Sequence, residues 1–365
     1  MTSARFLLPL VALALAGTSG AAFAQSAPDA TAQPPAPPPP TTRVPAQPNA
    51  DMQAVLDQLK VLGAMPIEQL TADAARIQPS ASDAATALMV KEGMDPLPDQ
   101  SVVTMDMPYG SDPNQLARLY KPANPTSAGP MPVVVYYHGG GWVIADVKTY
   151  DATPRLMAKQ LGALVVSVEY RHAPEFKFPA QHDDAAAAYR WVTQNASAWG
   201  GDPARIALAG ESAGGNLAVA TAIYARDNGL PAPVAILSVY PIANSDMSLP
   251  SRRDAAGAKP LNTAMLKWFS YYYTSSMADM QDPRLNLVKA NLRGLPPTTI
   301  VNAQIDPLRS DGETLAQAMR SAGDRVEQRT FPGVTHEFFG MGNVVKGAYD
   351  AENYAIMRLQ AAFSH

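Results

Sequence analysis

The chain has 365 residues, 47% of them hydrophobic and 16% charged, with a formal net charge of -4 and no cysteine. This balance suits a soluble globular protein and gives no reason to expect nucleic acid or an anionic membrane surface as a partner. The lack of cysteine excludes disulfides, thiolate metal sites, a cysteine nucleophile and a lipid anchor on an N-terminal cysteine.

Arg5, the apolar run FLLPLVALALAG and the small-residue site Ala22-Phe23-Ala24 open the chain. They read as a signal peptide over residues 1–24, cleaved after Ala24 and directing export to periplasm or medium. A retained N-terminal anchor is the competing reading, but the run is short for a membrane span. Residues 25–50 hold PPAPPPP and cannot build a core, so they read as an extended, disordered tether. Met52, Val55, Leu56, Leu59 and Leu62 recur at helical spacing, and TADAARIQ suggests a second, weaker helix. These belong to a helical segment over residues 51–100.

From residue 101 the pattern changes. VVTMDMP and LARLY read as two strands joined by the turn residues YGSDPN. PVVVYY, ALVVSVEY, ARIALA, VAILSVY, TTIVNAQ and RVEQRTF follow as further apolar runs. Helical patterns over Ala180 to Ala198, Ala213 to Asn228 and Asp311 to Ala322 fall between them. Alternating strands and helices with nearly continuous apolar strands imply an α/β fold, a mostly parallel sheet of about eight strands with helices on both faces and an antiparallel edge. Residues 242–282 interrupt the rhythm with LNTAMLKWFSYYYT, an aromatic-rich helix that reads as an insertion above the sheet.

The chemistry gathers around Gly210-Glu211-Ser212-Ala213-Gly214, between a predicted strand and a predicted helix. That context fits a sharp turn that lifts a serine nucleophile above the sheet, with the Ala213 N–H at the helix start facing developing negative charge. Serine needs a base. Of five histidines, His365 is terminal, His182 sits early in a helix, and His138 and His172 leave strands. His336, after the last strand in FPGVTHEFFG, meets the demand that the site sit at strand C-termini. Asp306, in IVNAQIDPLRSDGE directly after the apolar strand and before Pro307, is the orienting acid. Asp311 is the fallback and Glu313 a weaker rival, because both fall where the next helix starts and first-turn acids are expected anyway. HGGGW follows PVVVYY and supplies an oxyanion loop: Gly139 and Gly140 act as donors with Ala213, and Gly141 and Trp142 line the substrate site.

HGGGW, YRHAPE followed by FPAQHDD, WGGDPARIALAGESAGGNLA, DPL and GVTHEF together resemble the hormone-sensitive-lipase-like family of α/β-hydrolases, bacterial esterase family IV. The resemblance runs from about Met52 to the C-terminus. It implies a helical cap made from residues 51–100 and the insertion at 242–282, over a catalytic domain spanning 101–365. It implies a Ser212–His336–Asp306 triad. It also implies a polar network beneath the site that includes Glu211, counted here with the substrate-binding residues, and structural roles for Tyr170, Arg171, Glu175, Asp183 and Asp202. His172 departs from the leucine common at its position. The implied activity is hydrolysis of short- to medium-chain carboxylic esters, without metal or organic cofactor. A deacetylase of one metabolite or polysaccharide, or a non-catalytic small-molecule-binding module, are the alternatives. Homodimerisation is an expectation of the family. Activity is expected to fall as His336 is protonated near the ordinary histidine value of about 6.5.

Overall fold

The structure is a computed structural model that describes residues 46–125 and 129–364. The expected signal peptide and nearly all of the proline-rich tether lie outside those residues. Among the described residues, no helix is long and apolar enough to cross a membrane.

Three helices come first: α1 (Ala50–Val61), α2 (Ala72–Arg76) and α3 (Ala81–Lys91). The third was not separated by periodicity, yet its start is written in the sequence. The Asp83 N–H donates to Ser80 Oγ at 3.1 Å and the Ser80 N–H donates back to Asp83 Oδ2 at 2.7 Å. This reciprocal pair satisfies N–H groups that a helix start leaves without intrahelical partners.

The strands β1 (Val102–Pro108), β2 (Leu116–Pro122), β3 (Met131–Tyr137), β4 (Leu164–Val168), β5 (Gly201–Glu211), β6 (Ala235–Val239), β7 (Thr298–Ile305) and β8 (Val326–Thr335) form one sheet. Their order is β1-β2-β4-β3-β5-β6-β7-β8. The first two pair antiparallel and β2 joins β4 antiparallel; the remaining pairs are parallel. β4 and β6 are buried throughout because helices cover both faces, which is why their residues are continuously apolar rather than alternating. Successive residues still point to opposite sides. Val133, Val135 and Leu208 join one core, with Tyr189 of α5 (Ala180–Asn195), Leu217 of α6 (Ala213–Asp227) and Leu315 of α9 (Arg309–Ser321). Val134, Tyr136 and Ala209 join the other, with Met157 of α4 (Ala152–Leu161) and Ile356 of α10 (Lys346–Phe363). The last helix was not anticipated: its buried stripe includes Ala348, Ala351 and Ala355, and alanine gives little polarity contrast for a periodicity to show.

The insertion holds α7 (Pro250–Asp254) and α8 (Thr263–Tyr273). It meets the N-terminal segment directly. Trp268 Nε1 donates to the Leu70 carbonyl at 2.9 Å, and Asn262 Nδ2 donates to Glu68 Oε1 at 2.9 Å. Arg76 ties the same segment to the body, donating to the carbonyls of Val143 and Ala173 and to both oxygens of Glu175. Two stretches far apart in sequence thus cover one end of the sheet.

Candidate active site

β5 ends at Glu211 and α6 begins at Ala213, so Ser212 stands alone between them at φ 57°, ψ -115°. A positive φ is unusual for a residue with a side chain and is held here by its surroundings. The Ser212 N–H donates to the Val239 carbonyl of β6 at 2.8 Å, and its own carbonyl accepts from Asn216 N at 3.1 Å. The flanking glycines are steric necessities. A Cβ at Gly210 would strike the Gly214 backbone, and one at Gly214 would strike the Tyr137 carbonyl.

Three chain segments bring their side chains into one line. Ser212 Oγ lies 2.9 Å from His336 Nε2, and His336 Nδ1 lies 2.7 Å from Asp306 Oδ2. A carboxylate only accepts, so Nδ1 carries the proton and Nε2 is left to accept from the serine hydroxyl. The other Asp306 oxygen accepts from the Leu308 N–H at 2.7 Å, which fixes the carboxylate at the end of β7. Burial lowers the His336 pKa, but the Asp306 carboxylate and, more weakly, Glu337 and Glu211 outweigh it, and the net value stands above the ordinary one. The expected midpoint near 6.5 is therefore corrected upward.

Asp311 does not join this line. Its buried carboxylate accepts from the Ala243 and Asn244 N–H groups, each at 3.1 Å, and from Arg252 Nη2 at 3.0 Å. It braces the stem of the insertion. Burial pushes its pKa up to about 6, against the pull of Arg252 and the two backbone donors.

Gly140 and Gly141, at φ 95° and 58°, line a cavity of about 910 Å³ together with Ser212 and His336. The N–H groups of Gly139, Gly140 and Gly141 donate to no protein acceptor among the described residues. A Cβ at Gly141 would collide with the Phe269 ring of α8, so glycine there lets the insertion settle onto the loop. Gly139 is not among the residues lining the cavity, and a Cβ there would strike the Tyr150 hydroxyl, so glycine is required for the close packing behind the loop. Ala213 is fully buried beside the serine, and its N–H belongs to the first turn of α6, where helix N–H groups lack intrahelical partners.

Two expected substrate contacts are corrected. Trp142 is buried and stacks on Tyr273, with ring centroids 4.3 Å apart and planes 13° apart; it supports the insertion rather than facing the cavity. Glu211 is fully buried and does not line the cavity either. It accepts from Tyr136 OH at 2.5 Å and from Tyr240 OH, and burial lifts its pKa to about 7 although these hydroxyls favour the carboxylate. The Tyr240 ring in turn lies 4.5 Å from the His336 ring.

His182 is also more than a helix-start charge. Its Nε2 donates to Asn216 Oδ1 at 2.9 Å, and Tyr273 OH donates to its Nδ1 at 3.0 Å. Burial drives its pKa down to about 4, which leaves a neutral ring bracing α6 against the insertion. Asn216 continues the bracing through Nδ2, which donates to the Ile242 and Leu285 carbonyls.

Sequence reasoning missed Glu337 and Tyr150. Glu337 follows His336 at φ 67°, lines the cavity, and sits with Oε1 3.8 Å from His336 Nε2. Tyr150 OH reaches both of its oxygens, at 2.8 and 2.7 Å. A charged residue beside the candidate base was the signal that could have found them.

A family model described as alpha/beta hydrolase fold matches residues 134–340. Carboxylesterase NlhH of Mycobacterium tuberculosis is 40% identical over 271 residues, covering 73% of this chain and 84% of that protein. Ethyl acetate hydrolase of Pseudomonas putida is 32% identical over 306 residues, covering 82% and 92%. Among solved structures, an esterase of Pyrobaculum calidifontis is 34% identical and superposes with a TM-score of 0.73, covering 84% of this chain and 96% of that one.

Proposed function

Because the chain belongs to the hormone-sensitive-lipase-like family of α/β-hydrolases and is a carboxylic ester hydrolase, we propose that Ser212, His336 and Asp306 are its catalytic residues and that short- to medium-chain acyl esters are its substrates. The observation that carries the reading is the continuous hydrogen-bonded line from Ser212 Oγ through His336 to Asp306, opening on one cavity.

Ser212 Oγ attacks the acyl carbonyl while His336 Nε2 takes its proton. Asp306 holds the imidazole in the tautomer this requires and stabilises the imidazolium that forms. The negative oxygen of the tetrahedral intermediate is met by backbone N–H groups of Gly140, Ala213 and Gly141, with Gly139 behind them. Each such donor is worth about 2.7–4 kcal/mol in the transition state. The alcohol leaves with the proton from His336. Water then attacks the acyl-enzyme, His336 again acts as base, and the acid is released. Glu211 acts beneath the site: its bonds to Tyr136 and Tyr240 set the surface on which the His336 ring rests.

The cavity volume of about 910 Å³ lies near the top of the range of roughly 300–1,000 Å³ for small-molecule sites, room for more than an acetyl group. Leu56, Leu261, Met265 and Phe269 give it apolar walls from the two covering segments. The name of the Pseudomonas relative, ethyl acetate hydrolase, supports the short end of the range. Hydrolysis of p-nitrophenyl esters of graded chain length, beside Ser212→Ala, tests the proposal. The expected result is turnover on short and medium chains and loss of at least about 10⁴-fold in the variant. Equal rates in both proteins would remove Ser212 from the mechanism.

A further inference from the structure

Behind the glycine run, outside the Ser212–His336–Asp306 line, three side chains converge. His138 leaves the end of β3, and Glu169 and His172 leave the end of β4. His138 Nε2 lies 3.5 Å from Glu169 Oε1, and His172 Nε2 lies 3.3 Å from the same oxygen. Both separations exceed the N–H···O range, which ends at about 3.2 Å. Both imidazole nitrogens are buried and lack a hydrogen-bond partner among the described residues. One orphaned buried polar atom already needs an explanation; here two face one carboxylate oxygen.

The orientation of His138 narrows that explanation. Its Nδ1 lies 2.8 Å from the Gly139 carbonyl, an acceptor only, so Nδ1 carries a proton. In the neutral ring, Nε2 then turns a lone pair toward the carboxylate. Tyr170 stacks on the ring with centroids 4.3 Å apart and planes 10° apart, and its hydroxyl donates to the His138 and Gly139 carbonyls at 3.0 and 3.1 Å. Glu169 is held as well: Oε2 accepts from the Val147 N–H at 2.9 Å, which leaves Oε1 for the imidazoles. Bonds of this kind, to the far nitrogen of a histidine and the far oxygen of a carboxylate, orient the ligands in metal sites.

We propose that His138 Nε2, Glu169 Oε1 and His172 Nε2 bind one divalent cation of the zinc class. Ligands at about 2.0–2.1 Å in a tetrahedron stand roughly 3.3–3.4 Å from one another, close to the two separations observed here. The three ligand atoms lie within 4.8 Å of one another, so a small inward turn of the side chains completes the set. Two imidazoles with one carboxylate favour zinc over magnesium or calcium, which take oxygen ligands. The side chains of His172 and Glu169 keep a partly exposed edge although His172 Nε2 is buried, so an ion enters as that ring turns and water then fills the fourth position. The ion clamps the chain leaving β3 to the chain leaving β4. It stiffens the segment that carries Gly139 and Gly140 and takes no part in the bond-breaking steps.

Titration calorimetry of the chelator-dialysed protein with zinc chloride tests this, with His172→Leu and Glu169→Gln beside it and magnesium chloride as a control. The expected result is one zinc per chain, no magnesium binding, and an affinity lowered more than about 100-fold in His172→Leu, because losing even an outer partner of a ligand costs about 10–100-fold. An unchanged circular dichroism spectrum and an unchanged unfolding midpoint in the absence of metal show that His172→Leu is folded. His336→Ala is expected to bind zinc as the parent does. Absence of saturable binding would leave a proton as the only cation between His138 and Glu169 and overturn the proposal. Undiminished binding in His172→Leu, or binding lost only in His336→Ala, would overturn it too.

Discussion

Beneath Ser212 the molecule is locked: Glu211, Tyr136 and Tyr240 are fully buried, and the glycines at 210 and 214 touch backbone that cannot retreat. Above Ser212, the cavity is walled by α1 of the N-terminal segment and by α7 and α8 of the insertion, and these two segments meet through bonds such as Trp268 to Leu70 and Asn262 to Glu68. The floor is made of contacts between backbone and immediate neighbours, where a shift of a few tenths of an ångström disturbs the reacting atoms. The roof is made of exchangeable side chains. Under the proposed function this difference separates the two tasks of an esterase: the floor would set the rate of the chemical step, and the roof which acyl chain reaches it.

Two carboxylates in one segment offer the largest test of that division, since Asp306 serves the floor and Asp311 the roof. Asp306→Asn is expected to lower kcat/KM by about 10⁴-fold with the fold retained, because an amide cannot hold the imidazole in the required tautomer. Asp311→Asn is expected to do the reverse. Leaving Arg252 without its buried partner costs about 3–5 kcal/mol of stability, read by chemical denaturation, with a much smaller change in kcat. If Asp311→Asn proved the more damaging to kcat while stability held, the assignment of the two acids would be wrong.

The pH profile tests whether the floor extends to Glu337. In the proposed mechanism His336 must be neutral to accept the Ser212 proton, so activity is expected to fall as pH drops through the His336 pKa. That pKa is raised, so the acid limb of kcat/KM is expected above the ordinary value of about 6.5. Glu337 is one of the groups that raise it, and Glu337→Gln should move the limb toward lower pH. A limb that stays in place would confine Glu337 to holding Tyr150.

The smallest effect belongs to the roof. Phe269→Ala opens the wall above Gly141 and is expected to flatten the preference among chain lengths while kcat on the shortest ester changes little. Each substrate methylene that no longer packs against the ring forfeits about 0.8 kcal/mol, or roughly fourfold in kcat/KM. A uniform fall on every ester would instead mark Phe269 as a support of the glycine loop.

β3, β4 and β6 were legible because a sheet covered on both faces demands apolar runs bounded by turn residues. β1, largely exposed, and β8, alternating between exposed and half-buried along its first part, were legible from their place in the strand rhythm. Ser212 was legible because its turn needs glycine at fixed offsets from a strand and a helix. Asp306 and His336 were legible as residues that directly follow strands. The helices α3 and α10 were harder to read, since small alanines carry their buried faces.

What remained undecided in the sequence involved directions across the molecule. Asp306 is preferred to Asp311 for its place directly after a strand, but the role of Asp311 as the buried partner of Arg252 and of the Ala243 and Asn244 N–H groups is a matter of tertiary packing. Trp142 and Glu211 stand next to site residues in the chain and yet turn away from the cavity, into Tyr273 and into Tyr136. His138, Glu169 and His172 come from two connections whose separation in space follows from strand order, which no local pattern encodes. The sequence by itself determined most of the elements and the turn that carries Ser212, because those depend on backbone conformation over a few residues. Which side chains converge was decided only by the tertiary structure, because convergence depends on register and layer packing between segments that are distant in the chain.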